Sequence, residues 1–182
     1  SFMNGYRANR IQQRIQEADK LDIRIFKELQ KDVVSIPGRR LKEGMIKGFR
    51  TAKPKAQKLI DILTEWDCIL DKESIGGTVY EVFLYTLLKN TVEPHLDSDL
   101  TNCYLGTGKH PLLLPVNELL GHSTEAIFQM FQNPNSKWVP SEKAALHLIE
   151  KSLVESCKWL EDNMGHEPTT WAWGSIHQAQ FH

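Results

Sequence analysis

The residues of this chain that could perform chemistry include a serine at position 1. A terminal serine can attack a carbonyl when its own α-amine acts as the base, but it also needs donors that stabilise the oxyanion. Phe2 and Met3 follow it, and then a helical pattern begins, so no such donors are indicated. We therefore interpret residues 1–5 as linker or cloning residues and not as a catalytic site.

The seven histidines and three cysteines do not form a metal-binding pattern. No two histidines lie four residues apart, and His177 and His182 are spaced poorly for one helical face. Cys68, Cys103 and Cys157 are far apart and lack the CxxC spacing of zinc or redox sites. We predict no metal site and three buried, inert thiols; one disulfide with one free thiol is the alternative.

Two short segments look like ligand sites but lack essential parts. Gly106 to Lys109 suggests a phosphate loop, yet His110 stands where such a loop has a hydroxyl residue. Asp97 and Asp99 could bind a cation, but the glycine and the closing glutamate of a calcium loop are missing. We predict that neither segment binds a ligand and that the aspartates cap a helix or form a turn.

The densest local pattern lies in the tail, residues 167–182, which holds Trp171, Trp173, Gly174, His177, Phe181 and His182. Two tryptophans two residues apart cannot point the same way on a helix, so an extended or turning segment is indicated. Each indole needs a partner for its N–H group, and glycine permits a tight turn or the close approach of another backbone. On the residues alone, the tail is an aromatic plug that anchors the end of the chain.

The chain carries 22 Lys and Arg against 23 Asp and Glu, but the two signs are unevenly distributed. Residues 1–60 hold 15 basic and 6 acidic side chains, whereas residues 61–182 hold 7 and 17. A basic half either attracts nucleic acid or faces the acidic half of its own chain, and we favour the second interpretation. With 41% hydrophobic residues and no apolar run long enough for a bilayer, we expect an ordered domain with neither nucleic-acid nor membrane partners.

Apolar residues recur every three or four positions, which is typical of amphipathic helices. We predict helices over residues 8–19, 23–33, 37–49, 54–66, 75–90, 116–120, 123–132 and 141–163, with an irregular segment at 94–115 and a break at Gly121. The predicted N-caps are Asp22, Ser74 and Ser141, and Gly165 ends the last helix. The stretch 75–90 is apolar almost all round and is the predicted central helix. The fold class is therefore all-α, an irregular multi-helix domain over residues 6–166.

Four motifs follow one another in a fixed order. They are Arg10-Ile11, then Leu29-Gln30-x-Asp32-x-x-Ser35, then Ile62-Leu63-x-x-Trp66-Asp67 before the helix from Ile75, and finally the tail pattern. In this order they resemble the penicillin acylase (penicillin amidase) family, from about residue 6 to the end. Cys68 stands where the family usually has glycine, and the spacing after Phe181 departs slightly.

This resemblance implies an N-terminal nucleophile hydrolase that cleaves linear amide bonds, including those of penicillin antibiotics. In the family, a serine freed by autoproteolysis attacks the carbonyl with its α-amine as base, and an asparagine helps to form the oxyanion hole. Both residues lie upstream of the matched region, so Ser1 and Asn4 are not their counterparts. The αββα core also lies mainly outside it. The resemblance therefore implies a helical segment of the catalytic β chain, excised from the larger hydrolase and inactive alone.

Arg10 is the one site residue that the resemblance carries over. The corresponding arginine supports the nucleophile region, and a fixed guanidinium can donate hydrogen bonds near an oxyanion. A surface arginine on a helix is the alternative. The resemblance identifies no substrate-binding residues here, and no cofactor is expected in this segment, because the structural calcium of the family is bound largely upstream. The family is usually exported to the periplasm or the cell exterior, but this sequence does not indicate a compartment.

The expected partners are the remainder of the acylase α and β chains and, in the full enzyme, a small amide substrate. The face that meets the catalytic sheet would be exposed in isolation and would cause self-association. One alternative is a self-standing α-helical interaction domain with a basic N-terminal half, whose nucleic-acid binding would weaken steeply with salt. A metalloprotein built on His177 and His182 is another.

Overall fold

The computed structural model describes residues 5–105, 116–133 and 135–178, and within these ranges the ordered elements are helical. They are α1 (Tyr6–Glu17), α2 (Ile23–Lys31), α3 (Ile36–Leu41), a π-helical turn (Lys42–Ile46), α4 (Pro54–Glu65), α5 (Ile75–Val92), α6 (Ser98–Tyr104), α7 (Val116–Gln132), α8 (Glu142–Met164), a 3-10 turn (Pro168–Thr170) and α9 (Trp173–Ile176). The extended pairing in these ranges is an isolated bridge between Val34 and Ile69. The predicted all-α fold class is confirmed.

Polar side chains begin the helices at the predicted positions. Asp22, Ser74 and Ser141 each accept hydrogen bonds from backbone N–H groups in the first turns of α2, α5 and α8. These N–H groups have no partner within their own helix, so the caps fix where the helices start. Gly165, with φ 95°, ends α8 as expected.

Three expectations about the helices are wrong. The helix expected over residues 37–49 gives way after Leu41 to the π-helical turn, which ends at Ile46. α7 continues through Gly121, because one glycine costs a helix interior only about 1 kcal/mol and does not by itself end it. The segment 94–115, expected to be irregular, contains α6. Asp97 caps this helix by accepting a hydrogen bond from the Leu100 N–H group at 2.8 Å. The capping role expected for this aspartate is thus confirmed.

The centre of the fold is α5, which packs against α4, α7, α8 and the tail. Its buried residues cover most of the helix circumference, and Val79, Phe83 and Leu87 have no exposed surface. This agrees with the prediction that the helix is apolar all round. None of the helices in the described ranges is both long enough and apolar enough to span a bilayer.

Trp66, directly after α4, lies between α3 and α5. Its ring stacks on Tyr80 with the centroids 5.3 Å apart, and its Nε1 donates to the Ser74 hydroxyl at 3.0 Å. A Cβ atom at Gly76 would overlap Trp66 Cγ, and one at Gly38 would lie 2.7 Å from the ring. The indole therefore requires that neither position carries a side chain.

The basic and acidic parts of the chain contact each other. Lys55 and Lys58 on α4 approach Glu161 on α8, at 2.6 and 3.5 Å, and Lys53 approaches Glu150 at 2.7 Å. Each surface pair contributes little to stability, about 0–1 kcal/mol. Together they support the interpretation that the basic and acidic parts of the chain face each other.

The cysteines are free, and two of the three are buried. Burial raises the pKa of Cys157 to about 11 and raises that of Cys68 as well, so both thiols stay protonated at neutral pH. Cys103 is exposed, so its predicted burial is wrong. It lies on α6, a short helix that buries only Thr101.

The contact between Gly76 and Trp66 leads to a stability prediction. Gly76→Ala should lower the free energy of unfolding by about 1–3 kcal/mol, because the added methyl overpacks a buried indole that cannot move away. Urea unfolding followed by circular dichroism measures this change. Gly44→Ala is the matched control, since a Cβ atom at Gly44 would meet nothing within 4 Å, and it should not destabilise the protein. Equal losses in both variants would contradict the proposed role of Trp66.

Candidate functional site

A cavity of 610 Å³ lies between α1, residues 33–37, α5 and the tail. Apolar side chains form much of its wall, including Ile36, Leu70, Leu84 and Trp173. Polar groups reach it from Tyr6, Arg7, Arg10, Glu81 and His177. A concave, largely apolar space with a few polar groups is the usual form of a small-molecule site.

Arg10 reaches the cavity from α1, and Asp32 holds its guanidinium. Nε and Nη2 donate to the carboxylate at 2.7–3.1 Å, and Nη1 donates to Gln13 at 2.9 Å. The exposed fractions of the Arg10 and Asp32 side chains are only 11% and 8%. The hydrogen bonds from Arg10 hold the pKa of Asp32 below its ordinary value, so the pair is ionised at neutral pH and its geometry is fixed.

Backbone hydrogen bonds determine the position of Asp32. The residues directly after it pair with the loop that follows α4, because Val33 O accepts from Leu70 N at 3.0 Å and Ser35 N donates to Cys68 O at 2.8 Å. Asp32 also accepts a hydrogen bond from Val34 N at 3.1 Å. The acidic partner of Arg10 is thus positioned by a loop more than thirty residues away in sequence.

A second polar network connects Tyr6, at the cavity wall, with α7. The Tyr6 hydroxyl donates to Glu125 at 2.6 Å, and Arg40 donates to the same carboxylate at 2.5 Å. The Arg40 guanidinium also lies 4.6 Å from the centroid of the Phe128 ring. These contacts join α1, α3 and α7, and they occupy the Tyr6 hydroxyl.

Glu81 reaches the cavity from α5 without a partner. Among the residues that the structure describes, none forms a hydrogen bond or an ion pair with its carboxyl group, and burial is the one cause of its shifted pKa. Burial raises its pKa from the ordinary 4.5 to about 7, and no cation among the described residues opposes this effect. The carboxyl group therefore changes charge close to neutral pH.

The first tryptophan of the tail is an anchor. Trp171 is completely buried, its Nε1 donates to Gly165 O at 2.8 Å, and the Lys58 ammonium lies 4.7 Å from its ring centroid. The expectation of an aromatic plug is confirmed for this residue.

The second tryptophan lines the cavity. Trp173 begins α9 and stacks on His177 with the ring centroids 4.8 Å apart. Gly174 N donates to Lys72 O at 2.8 Å, and a Cβ atom at this glycine would lie only 3.1 Å from the same oxygen. Gly174 therefore allows the close backbone approach that brings Trp173 and His177 to the cavity wall.

The structure brings Arg10 and His177 from opposite ends of the chain to one cavity. Two features were not identified from the sequence: the ion pair of Arg10 with Asp32, and Glu81. The one indication for Glu81 was that it is the single acidic residue within α5, an otherwise mostly apolar helix. No cluster of three or more His, Cys, Asp or Glu that could hold a metal occurs in the described part of the chain.

Several residues considered in the sequence lie outside the described ranges. They are Ser1, Asn4, the segment from Gly106 to His110, Phe181 and His182.

Comparison with known proteins gives one result. The family model described as penicillin amidase matches residues 1–182. No curated protein matches the chain.

The buried ion pair of Arg10 with Asp32 leads to a prediction about the stability of the protein. Asp32→Asn should lower the free energy of unfolding by about 3 kcal/mol at pH 7, because it leaves a buried guanidinium without its anion. The pKa of Asp32 is lower in the folded state than its ordinary 3.8. The wild type is therefore more stable than Asp32→Asn above pH 3.8. This difference in stability is lost as the pH falls through the pKa that Asp32 has in the folded state. Urea unfolding at pH 7 and pH 3 measures both effects.

Glu43→Gln is the control for this experiment, because Glu43 pairs with Lys47 at 2.7 Å on an exposed surface. We expect no measurable change in its stability. A loss as large as that of Asp32→Asn would show that burial of the Arg10 pair is not the cause.

The partnerless Glu81 predicts the opposite pH dependence. Its pKa is raised in the folded state, so the native protein binds a proton that the unfolded chain releases between pH 4.5 and about 7. Stability therefore falls as the pH rises through this window. Glu81→Gln should match the wild type near pH 4.5 and be more stable by about 2 kcal/mol at pH 8.

Thermal unfolding at both pH values measures this difference. Glu73→Gln, whose side chain is 76% exposed, should show no pH-dependent difference from the wild type. A Glu81→Gln variant that differs equally from the wild type at both pH values would contradict the assignment.

Proposed function

Because the chain belongs to the penicillin amidase family, we propose that it forms the helical part of an amide hydrolase. In this reaction a serine oxygen bonds to the amide carbonyl carbon while its α-amine takes the hydroxyl proton. The carbon–nitrogen bond then breaks, and the amine leaves with that proton. Water releases the acid from the resulting ester. The serine and its oxyanion donors are supplied by another part of the enzyme.

The family match over residues 1–182, on a chain whose described part is helical, is the observation that carries this proposal. The described residues also favour a supporting role, since no serine or cysteine among them is hydrogen-bonded to a histidine that could activate it. The two buried thiols are protonated at neutral pH. A nucleophile from outside this part of the chain is consistent with both facts.

We assign Arg10 as a positioning residue in that enzyme. Three donor nitrogens hold Asp32 and Gln13, which leaves two of the five N–H groups of the guanidinium for a further acceptor. Arg10 lines the cavity, and its two fixed hydrogen-bonding partners prevent it from rotating. This geometry suits an arginine that orients the backbone of a neighbouring nucleophile region.

An apolar surface on α2 is the proposed contact with the remainder of the acylase α and β chains. Ile23 and Phe26 share one side of this helix and are 73% and 51% exposed, with Leu21 and Val33 exposed beside them. α2 buries only Leu29 against the rest of the protein. Without the remainder of the enzyme, we expect the same surface to mediate self-association.

Hydrolysis of a chromogenic phenylacetyl amide tests the proposal. The 182-residue chain alone should show no turnover, because it lacks the nucleophile, whereas protein expressed with the flanking coding sequence should be active. The flanking sequence should encode a serine at a processing junction. Turnover by the 182-residue chain, or a flanking sequence without such a serine, would contradict the proposal.

Arg10→Lys in the active protein tests the positioning role. Lysine keeps the charge but loses the planar fork, so kcat should fall by at least about tenfold while KM changes little. Arg24→Lys is the control, because the Arg24 side chain is 87% exposed. An unchanged kcat in a folded Arg10→Lys enzyme would remove Arg10 from the site.

A further inference from the structure

We propose that the cavity beside α5 binds a small organic cation, a primary ammonium on an aromatic or apolar body, and that Glu81 is its anionic partner. The proposal concerns the chain itself and does not depend on the hydrolase function.

The first argument is that Glu81 needs a partner. An ionised carboxylate in apolar surroundings is costly unless a cation or hydrogen-bond donors meet it, and native structures usually provide one. Among the described residues nothing meets this carboxyl group, and burial alone accounts for its raised pKa of about 7. A bound ammonium would supply the missing charge and donors.

The other charged groups of the cavity already have partners. Arg10 is neutralised by Asp32. Arg7 donates to the carbonyl oxygens of Leu29 and Asp32, at 2.5 and 3.0 Å, where α2 ends. Neither arginine forms a hydrogen bond or an ion pair with Glu81.

The remaining titratable groups of the lining do not meet Glu81 either. The Tyr6 hydroxyl donates to Glu125. Tyr80, next to Glu81 on α5, is neutral because burial raises its pKa well above the ordinary value. His177 stacks on Trp173. Among the described charged groups of the lining, Glu81 is thus the one with neither a hydrogen bond nor an ion pair.

The size and walls of the cavity select the class of cation. Its volume of 610 Å³ fits a ring-sized molecule, and Leu70, Leu84 and Trp173 provide apolar and aromatic surface. A metal ion would need several convergent ligands, and no such group exists among the described residues. The charge of an organic ammonium would pair with the single carboxylate, and its apolar or aromatic body would contact the apolar walls.

Binding of three probes that share a benzene ring tests the proposal. Benzylamine, benzyl alcohol and phenylacetate are titrated into the 182-residue chain and followed by calorimetry and by nuclear magnetic resonance. At pH 8 benzylamine should bind about tenfold more tightly than the other two, because only it carries a positive charge. Its affinity should fall about tenfold from pH 8 to pH 6, as Glu81 takes up a proton and benzylamine stays charged.

Variants of the chain assign the effect to Glu81. Glu81→Gln should bind benzylamine no better than benzyl alcohol, and retained binding of benzyl alcohol shows that its cavity is intact. Glu73→Gln, on the exposed surface, should behave as the wild type. His177 lines the same cavity, so His177→Gln is a second control, which should keep the pH dependence if Glu81 is its source.

Three results with the wild-type chain would overturn the proposal. They are tightest binding of phenylacetate, equal affinities for the three probes, and no binding of benzylamine at millimolar concentration. A benzylamine preference that survives in Glu81→Gln would overturn it too. If Glu81→Gln does not fold, the comparison of the three probes on the wild-type chain still tests the proposal. Hydrolysis of amides is measured separately, so failure of one proposal leaves the other intact.

Discussion

The packing of the Trp66 indole is the constraint on which the cavity depends. The ring lies where Gly38 and Gly76 leave room for it, and its single N–H group donates to Ile69 O at 3.1 Å and to the Ser74 hydroxyl at 3.0 Å. Ser74 in turn caps α5. One buried side chain thus connects α3, α4 and α5 and fixes the conformation of the loop between α4 and α5. Within that loop Cys68 has φ 66°, a region that favours glycine and that costs other residues about 1–2 kcal/mol.

This loop positions two walls of the cavity at once. Through its first half it pairs with residues 33–35 and so places Asp32 against Arg10. Through Lys72 O and Ser74 O it accepts hydrogen bonds from the tail and so places Trp173 and His177. The positions of Asp32 and of the tail therefore depend, through the loop between α4 and α5, on the packing of the Trp66 indole.

Among the described residues, some charged groups have partners of opposite charge and Glu81 has none. The surface lysines of α4 have acidic partners on α8, and Arg10 and Arg40 have partners across helix boundaries. Glu81 differs because burial penalises its charge and no group among the described residues pairs with it. Sites that break the local rules of stability are commonly those used for binding or catalysis, since a ligand can supply what the fold does not.

The sequence by itself determined the helices, their caps at Asp22, Ser74 and Ser141, the central position of α5 and, through four ordered motifs, the family. These properties depend on periodicity and on contacts within about four residues, which can be read along the chain. The tertiary structure decided the continuity of α7, the exposure of Cys103, the pairing of Arg10 with Asp32 and the lack, among the described residues, of a partner for Glu81. Each of these depends on which distant surfaces meet, because burial and the pairing of charges are properties of packed helices and not of any one of them.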